Sequence, residues 1–100
     1  MKVSFDYDGT LSTDTGKELL KKNIAEGNTV YLITARRPSN AIISIATGLG
    51  IPKRNIHFTS GKDKWQIVKI LSIDKHYDNN KEQIDKINAN TTAKGILINN

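Results

Sequence analysis

Short apolar runs alternate with stretches of helical periodicity along the 100 residues of the chain. The apolar, β-branched runs predict strands at residues 3–6, 29–34, 55–58, 73–77 and 94–98. Apolar residues at helical spacing predict helices at residues 15–26, 38–48, 64–71 and 81–88. Pro38 would open the second helix, because its missing N–H costs nothing at a first helical position. This alternation predicts a parallel sheet with helices on both faces.

Open parallel sheets bind ligands beyond the carboxyl ends of their strands, so the loops at that edge are the candidate site. The first of these loops follows the sequence DYDGT, in which Asp6 and Asp8 enter a turn at Gly9. An ordinary Asp-Gly turn is one interpretation. However, residues i and i+2 of an extended chain point the same way, so we expect the carboxylates to converge and raise each other's pKa unless a cation lies between them. Such a pair suits Mg²⁺, and a carboxylate is also a nucleophile toward phosphorus.

Composition limits the class of protein. The length predicts a single domain, residues 1–100, and 37% apolar with 25% charged residues is typical of a globular protein. The chain has no cysteine, which excludes disulfides and thiolate zinc sites. The sequence contains neither a signal-peptide core nor a membrane-length apolar run, which predicts a soluble cytoplasmic protein with no membrane partner. The net charge of +5 favours anionic partners, although the basic residues are spread over both edges of the predicted sheet.

Four motifs in this sequence resemble those of the haloacid dehalogenase (HAD) superfamily. DYDGTL resembles the first motif, Asp-x-Asp-Gly-Thr-Leu, and LITAR resembles the second, a strand that ends in Thr or Ser. GKDKW offers Lys62 and Lys64 for the lysine of the third motif, and we favour Lys64 because it directly precedes the first packed residue of the predicted helix. HYDNN resembles the fourth motif, with Asp78 in place and Asn79 where a second Asp is often found.

The resemblance covers nearly the whole chain and implies a three-layer α/β/α Rossmann-like fold. The five-stranded parallel sheet would have the order 5-4-1-2-3, with no cap domain, since the loops after the first and third strands have no room for one. It implies an Mg²⁺-dependent phosphohydrolase in which Asp6 attacks phosphorus and forms an aspartyl-phosphate. Asp8 would protonate the leaving oxygen and then activate water. The Asp6 carboxylate, the Asp8 backbone carbonyl and Asp78 would bind the metal.

The resemblance also implies a phosphate site built from the second and third motifs. Thr34 and Lys64 would bind the equatorial phosphoryl oxygens, where charge gathers in the transition state. The backbone N–H groups next to Thr34, at Ala35 and Arg36, would hold a phosphoryl oxygen beside a helix N-terminus. The Arg36 side chain is a further candidate for contact with a substrate phosphate or a nucleic-acid backbone.

Several alternatives remain open from the sequence. Asn79 offers only a neutral oxygen, which predicts weaker metal binding or an altered metal preference. His57 and His76 lie in predicted strands, where packed or exposed histidines are commoner than catalytic ones. The substrate would be either a small phosphomonoester, with a second subunit covering the site, or the phosphorylated end of a macromolecule. The net positive charge favours nucleotides or nucleic-acid ends. The rival hypothesis is a non-catalytic HAD-like binding or regulatory module.

Overall fold

The computed structural model describes residues 1–98, in which strands and helices alternate. The strands are β1 (Lys2–Phe5), β2 (Thr29–Thr34), β3 (Ile56–Phe58), β4 (Lys75–Asp78) and β5 (Lys94–Leu97). The helices are α1 (Asp14–Ala25), α2 (Asn40–Gly48), α3 (Trp65–Ile70) and α4 (Lys81–Asn90). The α/β alternation predicted from the periodicity is confirmed.

All five strands are parallel and lie in the order β3-β2-β1-β4-β5, which is the predicted order 5-4-1-2-3 read from the other side. The central strand β1 pairs with β2 and β4, so that Phe5 lies opposite Leu32 on one side and Tyr77 on the other. The chain leaves β1 toward β2 and later returns to the other side of β1 to form β4. Strand order therefore reverses between β1 and β4, and a crevice at their carboxyl ends is expected.

Alternate residues of β2 enter two separate cores, one on each face of the sheet. Val30 and Leu32 pack in a core with residues of α1 and α2. Tyr31 and Ile33 pack in a second core with residues of α3 and α4. A strand buried on both faces needs apolar residues at every position, which explains the continuous apolar run of β2. Helix, sheet and helix thus form the three predicted layers.

Helix α2 begins at Asn40 and not at Pro38, so the predicted start is wrong by two residues. The Ser39 side chain accepts a hydrogen bond from the Ile42 N–H at 3.3 Å and caps the helix. A serine hydroxyl gives a first-turn N–H a partner, which the proline ring cannot do. The capping interaction therefore outweighs the preference of proline for the first helical position.

Strand β4 covers Lys75–Asp78, two residues later at its start than the predicted strand at 73–77. Asp78 lies opposite Leu97 in the β4–β5 pairing, and its carbonyl accepts from the Ile98 N–H at 2.8 Å. Asp78 is therefore the last residue of the strand, whereas the sequence pattern predicts it in the following loop. This placement buries its side chain.

The connections that follow β1 and β3 are short. They cover residues 6–13 and 59–64, and neither contains an additional domain. The expectation of a fold without a cap domain is confirmed for residues 1–98. Among the same residues, no helix combines the length and the apolar character that crossing a membrane requires.

Candidate active site at the carboxyl edge of the sheet

A cavity of about 660 Å³ opens at the carboxyl edge of the sheet, at the ends of β1 and β4. The loops that follow β1, β2, β3 and β4 all contribute to its walls. It is lined by Asp6, Asp8, Ala35, Gly61, Lys62, Lys64, Asp78, Asn79, Asn80, Lys81 and Gln83. Most of the residues predicted for the site thus share one cavity.

Asp6 lies one residue beyond β1 and is fixed there by backbone hydrogen bonds. Its N–H donates to the Tyr77 carbonyl of β4 at 2.9 Å, and its own carbonyl accepts from the Leu11 N–H at 3.1 Å. The second bond closes a turn in which Gly9 has a φ of +76°, a conformation that glycine adopts without strain. The Thr10 hydroxyl donates to Asp6 Oδ2 at 3.3 Å. The turn therefore fixes both the backbone and the carboxylate of Asp6.

Lys64 joins the ends of β1 and β4. Its Nζ donates to Asp6 Oδ1 at 2.6 Å and to Asp78 Oδ2 at 2.8 Å, while only 3% of its side chain is exposed. Its backbone N–H donates to Gln83 Oε1 of α4, which holds the start of α3 against the site. Buried charges are tolerated when they are paired and hydrogen-bonded. Lys64 is thus the lysine in contact with the aspartates, whereas Lys62 is exposed on the cavity wall.

Asp78 is fully buried, and both of its carboxylate oxygens accept hydrogen bonds. Oδ2 lies 2.9 Å from His76 Nε2 in addition to Lys64, and Oδ1 accepts from the Asn80 N–H at 3.0 Å. His76 Nδ1 lies 2.6 Å from Ser4 Oγ. Since a carboxylate only accepts, Nε2 carries the proton and Nδ1 accepts from Ser4. Direct metal binding by Asp78 remains a prediction, and Oδ1, which accepts one hydrogen bond, keeps a lone pair for it.

The two buried aspartates respond differently to burial. Burial raises the pKa of Asp6 to about 6; the Lys64 charge opposes this rise and the Asp78 charge adds to it. Burial also opposes ionisation of Asp78, but the His76 hydrogen bond and the Lys64 charge outweigh it and lower the pKa of Asp78. Burial lowers the pKa of His76, so its imidazole is neutral at pH 7. Asp6 therefore holds its negative charge less firmly than Asp78.

Asp8 points away from this buried cluster and pairs with Arg36. Arg36 Nε and Nη2 donate to the two Asp8 carboxylate oxygens, each at 2.8 Å, and the guanidinium lies 5.5 Å from the centre of the Tyr7 ring. The hydrogen bond from Arg36 lowers the pKa of Asp8. The prediction that Asp6 and Asp8 raise each other's pKa is therefore wrong. The cause is that each carboxylate has its own cationic partner and that burial, not Asp8, raises the pKa of Asp6.

The loop after β2 is tied to the loop after β3. Thr34 is buried at the end of β2; its hydroxyl accepts from the Arg36 N–H at 3.3 Å and its carbonyl accepts from the Thr59 N–H at 2.8 Å. The Ala35 carbonyl accepts from the Gly61 N–H at 2.7 Å. Ala35 forms part of the cavity wall, whereas Thr34 is not among the residues that line it. Phosphate binding by these two residues remains a prediction.

Asn79 reaches across the turn that follows β1. Its side-chain amide satisfies its hydrogen bonds in one orientation, in which the NH₂ group donates to Asp6 Oδ2 at 3.0 Å and to the Asp8 carbonyl at 2.9 Å. A Cβ on Gly9 would lie 2.8 Å from the amide carbon, so the glycine leaves the room that this side chain needs. The motif resemblance marks Asn79 only as the position where a second Asp is often found, and it does not reveal these contacts.

The hydrogen bonds of His76 were not predicted, because histidines in strands are more often packed or exposed than catalytic. A signal for them was nevertheless present. His76 and Asp78 lie two positions apart in one strand, and Ser4 and Asp6 have the same spacing in and just beyond the neighbouring strand. Because alternate residues share a face, adjacent strands with this spacing bring the four side chains together. The sheet order was needed to see that these two strands are neighbours.

Within residues 1–98, no group of three or more His, Cys, Asp or Glu side chains is placed to hold a metal ion. Two oxygens, Asp6 Oδ2 and the Asp8 backbone carbonyl, lie 3.0 and 2.9 Å from the Asn79 amide nitrogen, and the same amide also carries an oxygen. Carboxylate, carbonyl and amide oxygens are donors that Mg²⁺ and Ca²⁺ accept. The types of oxygen present at Asp6, Asp8 and Asn79 would therefore suit a hard cation, and cation binding here remains a prediction.

Fold and site together define this chain as a Rossmann-like α/β protein with a buried aspartate–lysine cluster at the point where strand order reverses. Comparison with protein-family models, with curated proteins and with solved structures found no match for this chain. The geometry of the site and the motifs are therefore the basis for inferring its function.

Proposed function

We propose that this protein is a divalent-cation-dependent phosphomonoester hydrolase of the HAD type, with Asp6 as the nucleophile. The observation that carries the proposal is the position of the Asp6 carboxylate. It lines the cavity at the reversal point of the sheet, with one oxygen held by Lys64 Nζ at 2.6 Å and a second aspartate, Asp8, on the same turn. A fixed carboxylate beside a buried ammonium group suits attack on an anionic phosphoryl group.

In the proposed reaction, an Asp6 oxygen forms a bond to phosphorus as the bond between phosphorus and the leaving oxygen breaks. Asp8 donates a proton to that oxygen, and the alcohol leaves. Asp8 then takes a proton from a water molecule, which attacks phosphorus and releases inorganic phosphate from Asp6. Lys64 offsets negative charge on the phosphoryl oxygens throughout. Because Arg36 holds the Asp8 carboxylate, Asp8 must leave this ion pair to carry the proton.

Mg²⁺ would be held by the Asp6 carboxylate and the Asp8 backbone carbonyl, with Asn79 beside both oxygens. When bound, the cation would neutralise charge on the phosphoryl group. Asp78 would hold Lys64 in place through Oδ2, and Oδ1, which accepts one hydrogen bond, would be available to the cation.

The rim of the cavity favours a substrate that carries more than one negative charge. Lys62 and Lys81 line the cavity, and the half-exposed Arg36 lies beside Asp8. No cap domain is present in residues 1–98 to enclose a small molecule. A nucleotide or a phosphorylated nucleic-acid end fits this charge and this access.

A non-catalytic binding or regulatory module is the second candidate function. Two observations favour it. Asn79 is neutral at the position where the HAD motif that the sequence resembles often has a second Asp. The bidentate pair with Arg36 engages both oxygens of the residue that would transfer the proton. Such a module would bind phosphorylated ligands in the same cavity without turnover.

The test is a phosphatase assay with MgCl₂ on an aryl phosphate, a panel of nucleotides and oligonucleotides with terminal phosphates. We expect turnover by the wild-type protein and a loss of at least about a thousandfold in Asp6→Asn, because the nucleophile is removed. Asp14→Asn, the same change on the exposed first turn of α1, is the matched control and keeps its activity. Near-wild-type turnover by Asp6→Asn excludes Asp6 as the nucleophile, and an inactive wild-type protein favours the binding module.

A further inference from the structure

The side-chain amide of Asn79 bridges the two oxygens that the proposed function assigns to cation binding. Its NH₂ group donates to Asp6 Oδ2 at 3.0 Å and to the Asp8 carbonyl at 2.9 Å. Asn79 directly follows β4, whereas the two acceptors follow β1, so the amide spans the point where the strand order reverses. In this orientation both oxygens are satisfied without any cation.

The opposite orientation of the same amide would turn its oxygen toward the cation site. Rotation by about 180° about its last side-chain bond exchanges the nitrogen and the oxygen with almost no change of shape. The amide oxygen then faces the Asp6 and Asp8 oxygens across distances of 3.0 and 2.9 Å. In an octahedral Mg²⁺ site with bonds of about 2.0–2.1 Å, neighbouring oxygens lie about 3 Å apart. The turned amide oxygen would therefore lie at a distance from each of these two oxygens that suits neighbouring ligands of one Mg²⁺ ion.

We propose that Asn79 is a rotating gate for the cation site. With its NH₂ group inward, the amide closes the site and satisfies the Asp6 and Asp8 oxygens by hydrogen bonds. With its oxygen inward, it becomes the third protein ligand of a hard divalent cation. The inference rests on the proposed function only for the identity of the two other ligands, and it concerns cation binding and not turnover.

The gate has a thermodynamic consequence that a carboxylate at this position would not share. Cation binding must first break the two hydrogen bonds of the amide, and the ligand gained is neutral, so the affinity is lowered. In return, the protein without a cation has no second carboxylate against Asp6, where like charges would destabilise the fold. Asn79 thus lowers the affinity for the cation and raises the stability of the protein when no cation is bound.

The test compares Asn79→Asp with the wild-type protein by calorimetric titration with MgCl₂ and by thermal unfolding in EDTA. We expect Asn79→Asp to bind Mg²⁺ at least about tenfold more tightly, because affinity follows the charge of the ligand set, and to unfold at a lower temperature in EDTA. Asn40→Asp is the matched control. It adds the same charge at the exposed first residue of α2, outside the cavity, where an acidic residue suits the helix N-terminus, and it leaves Mg²⁺ affinity nearly unchanged.

The rotation itself is observed in the side-chain amide resonances of ¹⁵N-labelled protein. The Asn79 NH₂ signal, identified by its absence from Asn79→Asp, is expected to shift and to exchange faster with water as MgCl₂ is added. The signal of Asn40, which lies outside the cavity, is expected to stay in place. Both results together support the gate.

Three outcomes overturn the gate. Equal Mg²⁺ affinity in Asn79→Asp and wild type shows that the amide does not limit binding. Mg²⁺ binding without a change in the Asn79 signal shows that the amide does not turn. Absence of Mg²⁺ binding in both proteins overturns the gate together with the cation dependence of the proposed function. By contrast, the expected titrations combined with no phosphatase turnover would leave the gate standing and remove only the catalytic proposal.

Discussion

Two aspartates only two residues apart in the sequence have opposite pKa shifts, because the tertiary structure gives them different surroundings. Asp6 is buried, and burial raises its pKa to about 6. Asp8 is about half exposed, and the Arg36 hydrogen bonds lower its pKa. The same type of side chain is therefore readily protonated where it is buried, at Asp6, and remains an anion where it is exposed, at Asp8. In the proposed function, the first is the nucleophile and the second transfers protons.

His76 provides a residue-scale test of burial that does not depend on catalysis. Its imidazole is buried and neutral between Ser4 and Asp78, near the Lys64 ammonium, and burial lowers its pKa from the usual 6.5. Below that pH the unfolded chain takes up a proton that the folded protein does not, so the free energy of unfolding falls as the pH falls. The loss grows as the pH falls below 6.5, with a ceiling of about 1.4 kcal/mol for each pH unit.

The measurement is urea unfolding of the wild-type protein and of His76→Gln at about pH 7.5 and about pH 5.5, on either side of the ordinary histidine pKa. We expect His76→Gln to be less stable at the higher pH but to lose less stability on acidification, since glutamine does not titrate. The comparison is between the two pH slopes, which removes the packing cost of the substitution. Identical slopes would show that folded His76 takes up the proton as readily as the unfolded chain does.

At the level of secondary-structure elements, the turn after β1 is held in shape by the helix that follows it. The Thr13 side chain caps α1 by accepting from the Gly16 N–H at 3.1 Å, and it donates to the Thr10 carbonyl at 2.6 Å. A Cβ on Gly16 would lie 1.8 Å from the same carbonyl oxygen. Helix α1 can therefore approach the turn this closely only with glycine at position 16.

Gly16→Ala is consequently expected to destabilise the protein by about 1–3 kcal/mol, the usual cost of overpacking, although alanine is the better helix former. Gly48→Ala in the last turn of α2 is the matched control, because no atom lies within 4 Å of its added Cβ. It should stabilise the protein by up to about 1 kcal/mol through helix propensity alone. Chemical denaturation of both variants measures the two effects. Stabilisation by Gly16→Ala would contradict the close contact between α1 and the turn.

Across the whole molecule, stability depends on two cores that share one sheet. Leu32 belongs to the core beneath α1 and α2, and Ile33 belongs to the core beneath α3 and α4. Both side chains are fully buried. A small domain has only about 5–15 kcal/mol of stability, so neither core is dispensable.

Leu32→Ala and Ile33→Ala should each therefore cost about 2–5 kcal/mol, the range for a large-to-small change in a core. Ile45→Ala, at a position in α2 that is 43% exposed, should cost far less. Urea unfolding followed by the fluorescence of Trp65, which packs against the second core, measures all three. A negligible effect on one face only would show that the helices of that face contribute little to folding.

The alternation of strands and helices was predictable from the chain alone, because side-chain periodicity is a local property of the backbone. The continuous apolar run of β2 indicated burial on both faces, and the motifs led to the confirmed strand order. Element ends were less predictable: the side chain of Ser39 moved the start of α2, and pairing with β5 placed Asp78 inside β4. These ends depend on single hydrogen bonds that a hydrophobic pattern does not contain.

The contacts of the site became visible only in the folded chain, because their partners lie far apart in the sequence. Lys64 and Asp6 are separated by 58 positions, and Arg36 and Asp8 by 28. The motifs identified most of these residues, but not that Arg36 pairs with Asp8 or that Asn79 contacts Asp6. Such contacts depend on which strands are neighbours, and the pKa shifts depend on burial, which exists only once the chain is packed.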